Sequence, residues 1–499
     1  MKYQYLFLLF LFPIILTAQD DNLFIGRAFW KTMPDVAAVK EKIKEGNDPV
    51  ELNQYAFDAM TYAILENAPL ETMKYLLSIE GNGVDKITHD GRNYLLWAGY
   101  KGNVDLMKYL IDKGSDVDLV DDHGYNLICF SAVGGQQNTE LYDMILANGI
   151  DVKSTNRSGA NALLLLASNI KDKTVIDYFT SQGLDIHTKD LDGNGMFNYA
   201  ARKGNMDLMK QLMEMGVEYK ALNKKGENTI LVASQGSRGY SNPLEFYQFL
   251  EELGMQVDIV SWEGKTPLHN IVYSVKDMAI LDYFINKGVN VNQMDKEGNT
   301  AFLNAARGNN FAVVEKLLPL VNDVNQKNHE GYIALHHAVR RNSTKLFNLL
   351  VGKGADLAAV DSKGNNFMYH IFKAYNSRSE DAFQQFLSVA KDKKLESNKA
   401  FEAGNTLAHL AVDKNAKILL EKAIALGANI NQKNNDGLTP LHLAAMKATD
   451  DELLTMLLKH GADKSILTDF EESAYDLANE NELLTDKAIN VEFLKLDLI

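Results

Sequence analysis

The sequence predicts an all-α solenoid of about fourteen helix-turn-helix units joined by short β-turn or hairpin connections. Three periodic observations carry this reading. A glycine recurs at Gly91, Gly124, Gly159, Gly193, Gly226, Gly264, Gly298, Gly331, Gly364, Gly404 and Gly437, mostly at steps of 33–35 residues. Seven residues after most of these glycines stands a small side chain, as at Ala98, Ser131, Ala200, Ala305, Ala338 and Ala444, which suits closely approaching helices. A second stretch then places apolar residues at i, i+3, i+4 and i+7, as in 104–111, 206–213 and 452–458. Another glycine usually ends that stretch, at the left-handed position where a residue without Cβ is favoured.

The chain can be followed in order. Residues 1–18 carry Lys2, an apolar run from Tyr5 to Leu16 and the small pair Thr17 and Ala18, the pattern of a secretory signal cleaved after Ala18 or Gln19. The run is shorter than the ~20 residues needed to span a bilayer. No later segment is long and apolar enough, so no stable membrane insertion is expected after cleavage. Residues 19–90 read as two divergent units forming an N-terminal cap, with second helices from Val36 to Ile43 and Leu70 to Leu77. Residues 91–470 hold the central units. After the second helices an extended segment is expected, as in Val289 to Asn292 and Ala428 to Asn431. Residues 471–499 form a closing unit that opens at Ser473 and ends near Leu494.

Two units break the period. The one after Gly226 is longer by about five residues, around 236–243. The one after Gly364 is longer by about seven, near 376–379 and 391–399. Both read as loop insertions, either tolerated or serving as a binding loop or hinge.

Composition narrows the function classes. A chain of 499 residues would suggest about three domains, but the repeat resolves that length into copies of one unit. The apolar fraction of 46% excludes wholesale disorder. The net charge of −15 argues against nucleic-acid binding, because phosphate attracts basic surfaces. The lone Cys129 excludes an intramolecular disulfide framework and a Cys-rich zinc module. Exported chains of this size that lack disulfides fit a bacterial periplasm or cell exterior.

Isolated motifs carry little chemistry. Asp190 to Gly195 matches the front of a calcium loop, but Ala201 stands where a bidentate Glu is needed. His329-Glu330 lacks a second His at the zincin spacing, since position 333 is Ile. Cys129 lies in an apolar helix and reads as a small core residue. No nucleophile–base, phosphate-loop or paired-carboxylate constellation stands out. No catalytic residue, metal ligand or cofactor is therefore assigned.

A unit of 33–34 residues with turn, helix, helix and loop resembles the ankyrin repeat. The residues that carry the resemblance are Gly264-Lys-Thr-Pro-Leu-His269 and Gly437-Leu-Thr-Pro-Leu-His-Leu-Ala-Ala445. More degenerate copies are Gly331-Tyr-Ile-Ala-Leu-His-His-Ala338 and Gly404-Asn-Thr-Leu-Ala-His-Leu-Ala411. The resemblance implies that His336 and His337 are structural and bond turn backbone between units. It also implies a concave binding face lined by turn tips and first-helix ends. At those positions the five central units place Arg202, Lys203, Lys224, Lys225, Lys265, Lys296, Arg307, Arg340 and Arg341 against Asp192, Glu227, Glu263, Glu297 and Glu330. Trp262, Tyr273 and Tyr332 are interleaved as aromatic anchors. The implied function is a non-enzymatic scaffold, exported and periplasmic or extracellular, that binds a protein partner with an acidic surface. The alternative is a secreted effector or immunity-type protein engaging a foreign or host protein.

Overall fold

A computed structural model describes residues 22–237, 239–397 and 399–496. The expected signal segment lies outside the described residues. Among the described residues the architecture is fourteen consecutive pairs of α-helices, with isolated β-bridges and no strands. They group into two compact bodies, one ending at Lys224 and the other beginning at Lys225. The first body holds six helix pairs and the second holds eight. No described helix is long and apolar enough to cross a membrane.

Each repeat begins with a turn fixed by its own side chain. Asp295 Oδ1 accepts the N–H groups of Glu297 and Asn299 at 2.9 and 2.8 Å. Asp121, Asn156, Asp361 and Asn434 hold their own turns in the same way. Short polar side chains favour this geometry because they satisfy backbone donors that no ladder reaches. The turn then needs one left-handed residue. At Gly331 φ is +79°, and a Cβ there would lie 2.5 Å from the backbone nitrogen of Ser362 in the next turn.

Successive turns are tied by backbone bonds. In the first body Asp122 N donates to Asp90 O at 2.9 Å, and Leu191 N to Ser158 O at 2.9 Å. In the second body Trp262 N donates to Lys225 O at 2.9 Å, Lys296 N to Glu263 O at 2.8 Å, and His329 N to Glu297 O at 2.9 Å. Ser362 N donates to Glu330 O at 2.8 Å. At the 40-residue step, Asn365 Oδ1 takes the N–H of Glu402 at 2.8 Å.

The two helices of a repeat have different surroundings, and their sequences reflect it. First helices stack on those of both neighbouring repeats, so Leu127, Ile128, Cys129, Phe130, Ser131 and Ala132 are all buried in Leu127–Val133. Second helices bury one stripe, such as Leu106, Met107 and Leu110 in Val104–Asp112, and leave the other face polar. An asparagine before several second helices reaches back one repeat. Asn310 Nδ2 donates to Val272 O and Val275 O at 3.2 and 3.1 Å. Such bonds satisfy carbonyls at and just beyond a first-helix end that have no intrahelical partner.

The predicted helices at Val36–Lys44 and Leu70–Leu77 are present, as is the closing pair Ala474–Glu480 and Glu482–Thr485. Two expectations need correction. The segments after the second helices turn rather than extend, because Asn290 Oδ1 takes the N–H of Asn292 at 2.9 Å and Asn429 Oδ1 that of Asn431 at 3.0 Å. The extra residues after Gly364 are not mainly loop. They lengthen the second helix to thirteen residues, Glu380–Asp392, whose buried face Ala382, Phe383, Phe386, Leu387 and Ala390 is long enough to propagate.

Gly331 and Gly364 share a left-handed φ, but a Cβ at Gly364 would meet open space. Gly364→Ala is expected to cost about 1–2 kcal/mol from backbone conformation alone. Gly331→Ala should cost at least about 1 kcal/mol more, from the clash with the next turn. Urea midpoints check this, and equal losses would show that crowding contributes nothing.

Candidate functional site

Two adjacent repeats in the second body build a concavity with a largely polar lining. The helices Ala301–Arg307 and Ala334–Arg340 run in register, so their C-terminal ends bring Arg307, Arg340 and Arg341 together. Their preceding turns bring Glu297, Asn299, Asn328, His329, Glu330 and Tyr332. With His337 these residues line a cavity of about 590 Å³.

The arginines are partly positioned by the fold. Arg341 Nε donates to Arg307 O at 2.8 Å, which caps one helix end with a side chain from the next. The Arg340 guanidinium lies over the Tyr332 ring, 5.0 Å from its centre. Cations at helix C-termini also suit the helix dipole. Yet none of the three guanidiniums forms an ion pair among the described residues.

The predicted lysines behave differently. Lys265 and Lys296 share the Glu263 carboxylate at 3.2 and 2.6 Å, which holds that carboxyl below its ordinary range. Lys203 Nζ donates to Asn169 Oδ1 at 3.0 Å in the first body. Arg202, also in the first body, stacks on Tyr199 at 4.1 Å. The backbone nitrogen of Lys224 donates to Asp192 O, and the carbonyl of Lys225 accepts from Trp262.

The aromatic residues also separate. Trp262 is 75% exposed and lies over Gly226, where a Cβ would sit 2.6 Å from its Cδ1. Tyr273 packs against Gly308, and burial raises its hydroxyl pKa while the nearby Arg307 lowers it. Only Tyr332 of the three enters the cavity. Thus Arg307, Tyr332, Arg340 and Arg341 converge, and the other predicted residues do not join them in that cavity.

The histidines supply what the sequence reading missed. His269, His409 and His442 follow the expected structural role. Their Nδ1 atoms take the N–H of Thr266, Thr406 and Thr439. Their Nε2 atoms bond the carbonyls of Asn299, Leu438 and Ile466 in the next repeat. His336 keeps only half of this pattern. Its Nδ1 accepts from Ile333 N at 3.1 Å, but its ring stacks on Phe367 and its buried Nε2 has no hydrogen-bond partner. His337 also has a buried, unpartnered Nε2, and it lines the cavity. A signal was present, because Leu410 and Leu443 stand in other repeats where His337 stands here.

Electrostatics keep these rings neutral. Burial, then the neighbouring His370 and His337, push His336 down to about 2. Burial, then Arg340, Arg307 and Arg341, push His337 down to about 3. Burial lowers His370 to about 4 despite Asp361 Oδ2 at 3.2 Å. Cys129 is buried, and its thiol is pushed up to about 12. The Asp190 carboxylate of the calcium-like motif is occupied by Asn194 and Tyr199.

The insertion near 236–243 forms a small bridge between Ser237 and Tyr240 and borders a separate cavity of about 560 Å³. That cavity has no cluster of unpaired charge like the first. Chemically, the first cavity offers fixed cationic donors without a nucleophile and base in bonding reach, an arrangement suited to binding.

The sequence profile for ankyrin repeats matches residues 60–156, 268–361 and 370–468, more than half of the chain. The ankyrin repeat protein FPV031 of fowlpox virus is 30% identical over 134 residues, which are 27% of this chain and 38% of that protein. Human transient receptor potential cation channel subfamily A member 1 is 24% identical over 415 residues, 79% of this chain and 32% of the channel. The match therefore spans well under two thirds of either relative. The human ASB11 ankyrin repeat domain is 21% identical, with a TM-score of 0.39 over 47% of this chain and 100% of that domain.

Stability should depend on pH through the buried rings. The unfolded chain binds a proton on each His near pH 6.5, whereas the folded chain resists it until about pH 4 or below. Their contribution is complete above about pH 6.5 and is lost as pH falls towards 3, by up to about 1.4 kcal/mol per pH unit for each ring. Urea midpoints measured between pH 7 and pH 4 are expected to fall less steeply in His337→Gln and His370→Gln.

Proposed function

The chain belongs to the ankyrin-repeat family, and from that premise we propose that it is a non-enzymatic scaffold holding a protein partner with an acidic surface. The observation that carries this reading is the set of three guanidiniums, Arg307, Arg340 and Arg341, that lie beside Tyr332 in one cavity and form no ion pair among the described residues. Arg and Tyr are favoured at energetic centres of interfaces because they combine contact area with hydrogen bonding. Trp262, exposed on a neighbouring turn tip, adds an apolar anchor. The paired lysines Lys265 and Lys296 contribute less, since a partner would have to break their bonds to Glu263. The binding face on this reading comprises the turn tips and first-helix ends. The N-terminal sequence supports export, with the periplasm as its destination.

Two measurements test the proposal. Partner capture by the full chain should fall sharply in Trp262→Ala combined with Arg340→Ala and Arg341→Ala, and weaken as salt rises. Unchanged capture by the triple variant sinks the assigned face. Cell fractionation with mass spectrometry of the mature N-terminus should find the chain outside the cytoplasm and starting at Gln19 or Asp20. A cytoplasmic chain retaining residues 1–18 would refute export.

A further inference from the structure

The cavity between the repeats of Ala301–Arg307 and Ala334–Arg340 holds more unsatisfied polarity than a structural role needs. Three guanidiniums there have no carboxylate partner among the described residues. The buried ring nitrogen His337 Nε2 has no hydrogen-bond partner, although Leu410 and Leu443 follow the equivalent rings His409 and His442. The three arginines are exposed and can be solvated, but a buried ring nitrogen is disfavoured unless something completes it.

We propose that this cavity is a binding site for a single peptide carboxylate, gripped by Arg307, Arg340 and Arg341 with His337 donating from Nε2. The proposal rests on the scaffold reading and names the group on the partner that this face selects. Geometry favours capture of a planar oxyanion. Arg340 is held flat against Tyr332, and Arg341 is anchored through Nε to the carbonyl of Arg307, leaving its terminal nitrogens for a ligand. Donors fixed in advance lose little freedom on binding.

Charge selects among oxyanions. Glu297 and Glu330 line the same cavity, and neither forms an ion pair among the described residues. Three cations against two anions leave one net positive charge, which matches a carboxylate. A phosphate monoester carries about −1.5 to −2 and would meet both glutamates. The volume of about 590 Å³ far exceeds one carboxylate, so the group arrives on a longer peptide. Glu297 and Glu330 are then placed to meet basic residues flanking the acid.

The test uses the full mature chain labelled at histidine, with the peptide acetyl-Ala-Lys-Ala-Glu-Ala-Lys-Ala-amide as probe. Expected are a saturable shift of the His337 ring resonances and a rise in the pH at which that ring titrates. The same peptide with Gln in place of Glu should produce neither. Arg340→Gln and Arg307→Gln should each weaken the Glu peptide about tenfold or more while the melting temperature holds. Absence of a saturable shift overturns the proposal, as does equal binding by both variants. Tighter binding of inorganic phosphate, or of the same peptide with phosphoserine in place of Glu, overturns the choice of carboxylate. If the Glu peptide fails while partner capture still depends on Trp262 and the arginines, only this site assignment falls. If capture is also insensitive to them, the scaffold reading falls with it.

Discussion

The bond from one turn tip to the next governs the arrangement within each body. In most turns a backbone N–H donates to a carbonyl one repeat earlier, as from His329 to Glu297 and from Ser362 to Glu330. The glycine beside that carbonyl must be left-handed for the carbonyl to point at the next turn, and at Gly331 there is no space for a side chain. Once this spacing is set, first helices stack at a fixed separation, and only small residues fit between them at Ala305 and Ala338. The second helices then close over the apolar side. Extra residues are accommodated only away from the bond. Those near 236–243 and 376–399 lie between one turn tip and the next, and the tie from Trp262 to Lys225 survives the longer step.

A frame fixed by backbone leaves side chains at turn tips and first-helix ends free to vary. In most repeats those positions are settled locally. Lysines find a glutamate, as Lys265 and Lys296 do at Glu263, and histidines find the next repeat's carbonyl, as His269, His409 and His442 do. The pair of repeats around Tyr332 departs from this. There the chain places a second buried histidine beside the first, and three arginines that form no ion pair among the described residues. The same frame that makes the repeats alike brings these exceptions into one cavity.

The periodic part of the structure was legible because glycine period and apolar spacing report backbone requirements directly. Helix Leu70–Leu77 and the closing pair from Ala474 followed from spacing alone. What spacing could not reveal was pairing. Nine basic residues at comparable positions looked equivalent in the sequence, yet Glu263 neutralises two of them and Tyr332 orients a third. The lengthened helix Glu380–Asp392 was hidden because an insertion changes the period without saying which element absorbs it. His337 was read as structural by analogy with its neighbour. Only the three-dimensional placement shows that its Nε2 meets no carbonyl.

Local conflict of this kind is informative because it has a cost that the fold does not require. Leucine at position 337 could pack as the buried Leu410 does, and would remove a buried nitrogen without a partner. A carboxylate paired with Arg340 would offset the like charge that, after burial, depresses His337. The repeat offers both remedies elsewhere in the same body, so the chain is capable of them. At His337 that cost falls on a residue lining a cavity, where a ligand can relieve it. None of the three arginines has a carboxylate among the described residues, and an anion from another molecule would supply one.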